Sequence, residues 1–139
     1  MKNRSLSKNI GILIPASLVV LISCSAAMAQ GGKAEPNRIE FKRGTTSTTI
    51  NGTVRRDEQA EYVLAAKKGQ RLTIKITSVP ARSSGFDLSG PDNVDLGLEF
   101  DTNLDYSHTL PRTGDYLITV VKLSDLVRTS KYKRTVTLR

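Results

Sequence analysis

Cysteine occurs once in the 139-residue chain, at Cys24, and histidine once, at His108. A lone thiol excludes a disulfide within the chain. A lone imidazole leaves one arrangement for a Ser/His/Asp mechanism, which needs its base within reach of the nucleophile. Ser107 is the neighbour of His108, but adjacent residues on a strand point to opposite faces. No two carboxylates share an apolar setting that would split their pKa values for acid–base work. Also missing are an internal repeat, a low-complexity tract, any long helical periodicity and an aromatic–basic motif of the kind that binds nucleic acid. The expectation is a protein that is not an enzyme, uses no cofactor and does not bind nucleic acid.

The N-terminus carries a different kind of signal. Lys2, Arg4 and Lys8 precede an uncharged, largely apolar run, residues 10–22, and Ala27 and Ala29 flank Met28 at the end of the stretch. A basic start, an apolar centre and small residues at a cleavage point make an export signal. The thirteen-residue run is short of the roughly 20 residues that span a bilayer. "LISC" (21–24) also fits the box in which a cysteine is acylated. Two outcomes therefore stand: cleavage after Ala29, giving a periplasmic or secreted protein, or lipidation of Cys24, giving a membrane-anchored lipoprotein. Membrane contact is expected only through such a lipid. The expected organisation is a signal peptide over 1–29, a flexible lead-in over 30–37 and one domain over 38–139. Losing residues 1–29 takes three of the 21 basic residues and none of the 13 acidic ones, leaving a charge of about +5 that favours anionic partners.

The rest of the chain alternates. "RIEFK" (38–42) aligns Ile39 with Phe41, and "TTINGTV" (48–54) aligns Ile50, Gly52 and Val54. "EYVL" (61–64) aligns Tyr62 with Leu64. "RLTIKIT" (71–77) sets Leu72, Ile74 and Ile76 against Arg71, Thr73, Lys75 and Thr77. "DYLITVV" aligns Tyr116, Ile118 and Val120, and "YKRTVTL" aligns Tyr132, Val136 and Leu138. Period-two patterning with Val, Ile and Thr enrichment is the mark of half-buried strands. Shorter strands are expected near Phe86 and His108, and one helical turn around "SDLVR". "AKKGQ", "GPDN" and "PRTGD" supply the turns, with Gly69 free to take a positive φ. Many short strands at close spacing predict an all-β fold, an antiparallel β-sandwich of jelly-roll-like type.

Two charged stretches call for an account. Asp101, Asn103 and Asp105 have the spacing that opens a calcium loop. Tyr106, however, stands where the loop needs Gly, and Arg112 where it needs a bidentate Glu. With Asp92 and Asp95 these residues read as turn formers, and no metal is expected. "KLSDLVRTSKYKR" (122–134) holds five cations in thirteen positions. Lys131, Lys133 and Arg139 fall opposite Tyr132, Val136 and Leu138, as on a solvated face, and charge on an edge strand also deters aggregation. Arg134 falls in phase with the inward face. Arg128 lies before the strand, in a connection expected at the surface.

"IEFKRGTTSTTINGTV", "YVLAAKKGQRLTIKI", "GPDNVDL" and "TLPRTGDYLITV", then a basic stretch and a closing Y-x-x-x-V-x-L strand, resemble the periplasmic inhibitors of g-type lysozyme. Those inhibitors are similar in turn to the bacterial pre-peptidase C-terminal domain, a small jelly-roll-like sandwich. The resemblance runs in order from about Arg38 to Arg139. It implies a protein that binds a lysozyme and blocks its sugar-binding cleft. In the family, two arginines four residues apart before the last strand and a tyrosine-containing segment after the second strand form the contact surface. Arg128 matches the second arginine, and the first falls on Ser124. Asp57 and Glu58 stand where the aromatic is expected, and the connection after Arg128 is shortened. Lys122, Asp125 and the turn from Arg56 to Glu58 are candidates for the same surface. A lysozyme is thus the first expected partner. The alternative is a non-inhibitory envelope module that binds peptidoglycan, another anionic envelope polymer or another envelope protein.

Overall fold

The computed structural model describes residues 35–139. The expected signal peptide, Cys24 and the first part of the lead-in lie outside the described residues. Eight strands follow: β1 (Asn37–Arg38), β2 (Ser47–Arg55), β3 (Gln59–Ala66), β4 (Arg71–Val79), β5 (Ser84–Ser89), β6 (Asp105–Thr109), β7 (Gly114–Lys122) and β8 (Thr129–Leu138). They form two four-stranded sheets, in the orders β1-β3-β7-β5 and β2-β8-β4-β6, packed face to face as a sandwich.

Alternation in the sequence becomes two facing apolar layers. Leu64, Tyr116, Ile118, Val120 and Phe86 project from the first sheet, and Val54, Leu72, Ile74 and Val136 from the second, all with almost no exposure. Each fully buried aliphatic or aromatic side chain contributes about 1.5–3 kcal/mol by leaving water. With no disulfide available, this burial is the main stabilising term. Gly52 of β2 faces Tyr132 of β8 across the register, and a Cβ there would lie 2.3 Å from the phenol oxygen. Only glycine leaves room for that ring.

The β3–β4 turn forms as expected, with Gly69 at φ +90 and Gln70 N–H bonded to the Lys67 carbonyl at 3.1 Å. Gly69 N–H also donates to Leu110 O at 2.9 Å, and Lys68 N–H to Thr113 Oγ1 at 2.9 Å. "AKKGQ" and "LPRTGDY" therefore meet at one end of the sandwich, where Tyr116 donates its hydroxyl to Arg112 O at 2.6 Å.

Four expectations are corrected. The first sheet is mixed, because β1 runs parallel to β3 through Asn37↔Tyr62 and Arg38↔Val63. Parallel neighbours need a crossover, and β2, placed in the other sheet, is that crossover. The strand expected over 38–42 stops after Arg38, although Ile39 stays buried and bonded to Val63 O. "SDLVR" forms a turn and not a helical one; the 3-10 turn lies at Pro91–Asn93. Lastly, β8 is not an edge strand. It sits between β2 and β4, so deterrence of edge pairing does not explain its cations.

Candidate functional site

Two connections leave the same end of the sandwich side by side, because β2 pairs with β8 at Arg55↔Thr129 and β3 pairs with β7 at Gln59↔Val121. One is the β2–β3 turn, the other the β7–β8 connection, and each crosses from one sheet to the other. In the first, Asp57 adopts a left-handed φ of 62, Glu58 N–H bonds Arg55 O at 3.2 Å, and the Glu58 carboxylate accepts Arg55 N–H at 3.3 Å. Asp is one of the few non-glycine residues that tolerate this region. In the second, Lys122 turns inward: its side chain is 6% exposed, donates to Ser124 O and lies 3.6 Å from the Asp125 carboxylate. Ser124 Oγ accepts Leu126 N–H at 3.3 Å. Arg56 reaches across to Asp125 O at 3.4 Å.

The sequence-predicted residues Arg56, Asp57, Glu58, Lys122 and Asp125 thus line one shallow cleft of about 240 Å3, with Gln59 and Val121 between them. Ser124 is not among its lining residues; it holds the turn through Lys122 and Leu126 N–H. Arg128 is not part of the cleft. It stands exposed at the far end of the β7–β8 connection and makes no hydrogen bond or ion pair with the described residues. Lys122 differs in role from the expectation, since its ammonium is spent inside the loop and shapes it.

One contact candidate went unread in the sequence. Leu126 is 97% exposed and Leu123 44% exposed. Leucines in a connection carry no periodicity, so the only available signal was an apolar residue among charges with no strand to bury it.

The base of this end is tied together by hydrogen bonds. Ser130 at the start of β8 shares buried hydrogen bonds with Ser83 and Ser84. Ser78 Oγ accepts the N–H groups of Ser83 and Ser84 at 2.9 and 3.1 Å, and Leu123 N–H bonds Ser83 O at 2.8 Å. Deeper between the sheets, Arg134 is wholly buried with its guanidinium carbon 3.7 Å from the Tyr62 ring centroid. Burial pulls the arginine below its ordinary pKa. Tyr62 and Tyr132 share a 2.6 Å hydroxyl hydrogen bond, and burial, then that bond, push Tyr132 above the usual tyrosine range.

The other sequence candidates separate. Ser107 Oγ faces Thr73 and Arg71 on the outer surface, whereas the His108 ring lies against Tyr106 at 4.8 Å between centroids. The two functional groups do not meet. Asn103 forms an isolated antiparallel bridge with Phe86 through both backbone groups and donates its side-chain amide to Phe100 O at 2.8 Å. Among the described residues no three His, Cys, Asp or Glu side chains gather as metal ligands.

The structure is a two-sheet scaffold that presents charged and apolar loop residues at one end. No family model matches the chain. In sequence it is 29% identical over 122 residues to an inhibitor of g-type lysozyme from Escherichia coli strain K12, covering 86% of this chain and 88% of that protein. Its fold matches the periplasmic inhibitor of g-type lysozyme of Salmonella Typhimurium with a TM-score of 0.59 and 27% identity, over 76% of this chain and 99% of that one. The Aeromonas hydrophila counterpart gives a TM-score of 0.63 at 22% identity, over 75% and 96% of the two chains. The pre-peptidase C-terminal domain of a Bacillus anthracis collagenase shares the fold at a TM-score of 0.50 and 15% identity, over 76% and 95%. In sequence and in fold, then, the chain resembles the family of periplasmic inhibitors of g-type lysozyme. The Escherichia coli and Salmonella Typhimurium relatives are inhibitors of an enzyme.

Proposed function

We propose that the chain is an exported inhibitor that binds a g-type lysozyme and blocks its active-site cleft with the β2–β3 and β7–β8 end. The observation that carries this reading is Arg128: solvent-exposed, free of partners among the described residues, and two positions from the exposed Leu126. Glycosidase clefts hold a carboxylic acid that must donate a proton. An arginine keeps its charge at any working pH and matches a carboxylate bidentately. Inserted beside that acid, Arg128 would hold it ionised and fill the sugar's place at once. Leu126 supplies the apolar anchor that the missing aromatic would otherwise give. Asp57, Glu58 and Asp125 form an acidic rim, suited to steering more than to affinity. Ser124, where the family has its first arginine, contributes loop geometry, and the interface has one cationic anchor in place of two.

Titrating a g-type lysozyme with the purified processed protein is the test. Loss of activity should be stoichiometric. Arg128→Ala should weaken inhibition about 10- to 100-fold, the effect of losing a hot-spot residue. An enzyme left fully active by a large molar excess of folded protein overturns the reading. Export through residues 1–29 puts the protein in the periplasm or outside the cell. Mass spectrometry of the processed N-terminus separates cleavage after Ala29 from an acylated Cys24.

A further inference from the structure

The outer face of the β2-β8-β4-β6 sheet is a second surface, unused by the proposed inhibition. Because β8 lies between β2 and β4, its alternate residues form the middle of that face: Thr53, Lys131 and Val79 stand in one cross-strand row, Asn51, Lys133 and Thr77 in the next. These two rows line an open groove of about 650 Å3. Further along, the face continues as hydroxyls paired across strands, Ser47 with Thr137 at 3.0 Å and Thr49 with Thr135 at 3.3 Å. Six cations, Arg55, Arg71, Lys75, Lys131, Lys133 and Arg139, share the face with one carboxylate, Asp105. None of the six is in an ion pair with the described residues.

We propose that this groove binds a carboxylate-bearing glycan polymer. Three features select that occupant. Charge complementarity calls for a polyanion, since clustered cations without counter-charges repel one another until an anion joins them. The groove sets hydroxyls and an amide beside the exposed Val79 side chain, so a sugar finds donors and acceptors for its hydroxyls and an apolar surface for its ring. All four tyrosines belong to the inner faces, at Tyr62, Tyr106, Tyr116 and Tyr132, so no aromatic platform is offered for stacked nucleobases. The sheet is also preformed, which spares a partner the entropy of ordering the surface. Alternate residues on one strand lie about 7 Å apart, so Lys131 and Lys133 meet an extended chain at two successive points.

The test measures binding of the processed protein to polygalacturonate, with dextran as the uncharged glycan and polyglutamate as the carboxylate polymer without sugar. Retention on polygalacturonate is expected at about 0.1 M salt and loss of it at about 1 M, where the Debye length falls from about 10 Å to about 3 Å. Lys131→Gln/Lys133→Gln, with an unchanged thermal midpoint, should weaken that retention about five-fold or more. Dextran and polyglutamate should both bind more weakly than polygalacturonate. The proposal is overturned if polygalacturonate is not retained at low salt, if the double variant binds it unchanged, or if either comparison polymer binds equally well.

Discussion

A charge closed off from water is costly unless its surroundings replace hydration, and Arg134 lies between the two layers with the Tyr62 ring beneath it. A cation over an aromatic face recovers about 0.5–2 kcal/mol, and among the described residues none of its three guanidinium nitrogens has a hydrogen-bond partner. Next to it, Tyr132 is favoured as the protonated phenol, its pKa raised by burial first and by the Tyr62 bond second. A group whose folded-state pKa is raised adds stability that is complete below its unfolded value, near 10 for tyrosine, and lost as pH climbs towards the folded value. The melting temperature is therefore expected to drop above about pH 10, and to drop less steeply in Tyr132→Phe. Arg134 acts with the opposite sign, because burial lowers its pKa. Comparing the two proteins at each pH cancels Tyr106, which is independent of Tyr132, and reports Tyr132 together with its coupling to Arg134. Equal slopes in both would show that the phenol contributes nothing to the pH dependence.

Elements were easier to read than their neighbours. Alternation set the inward face of β2, β4, β7 and β8 correctly, even at Arg134, whose phase in "YKRTVTL" was right against all expectation of its type. What alternation does not encode is which strand lies alongside. The interior place of β8 and the parallel approach of β1 come from pairings far apart in sequence, such as Leu72↔Leu138. The site divides the same way. Arg56, Asp57, Glu58, Lys122 and Asp125 were reached through the family resemblance, and the structure gathers them into one cleft; Leu126 was not, because an apolar residue in a loop has no period to betray it. The motifs that carried the family resemblance, "AKKGQ" and "LPRTGDY", pack against each other away from that cleft, so they report the scaffold and leave the loops free to differ. Leu126→Asp separates these roles. Because the side chain is almost wholly exposed, stability should stay within about 0.5 kcal/mol of wild type. Lysozyme inhibition should fall about ten-fold or more, as for a lost apolar anchor. A denaturation midpoint that moves by more, or inhibition that does not move, removes Leu126 from the contact surface.

At the scale of the molecule, one sandwich carries two proposed surfaces joined by a single strand. β8 begins beside Arg128 and then presents Lys131 and Lys133 on its outer face, while its inner face holds Ser130, Tyr132 and Arg134. With about 3.4 Å of rise per residue, Arg128 and Lys131 are separated by about 10 Å of backbone, close enough that they act either as two sites or as one. Reciprocal substitution distinguishes the two. Arg128→Ala should lose lysozyme inhibition and keep polygalacturonate retention; Lys131→Gln/Lys133→Gln should do the reverse. Such a crossing result would mean that the loop end engages the enzyme by fit to an acidic cleft, and the sheet face engages a polymer by distributed charge. The salt dependence should differ accordingly: polymer binding should fade steeply as screening rises, while a desolvated guanidinium–carboxylate contact in a closed cleft should be screened far less. If each variant loses both activities together, the cations of β8 form one continuous surface, and the glycan site and the lysozyme site are the same.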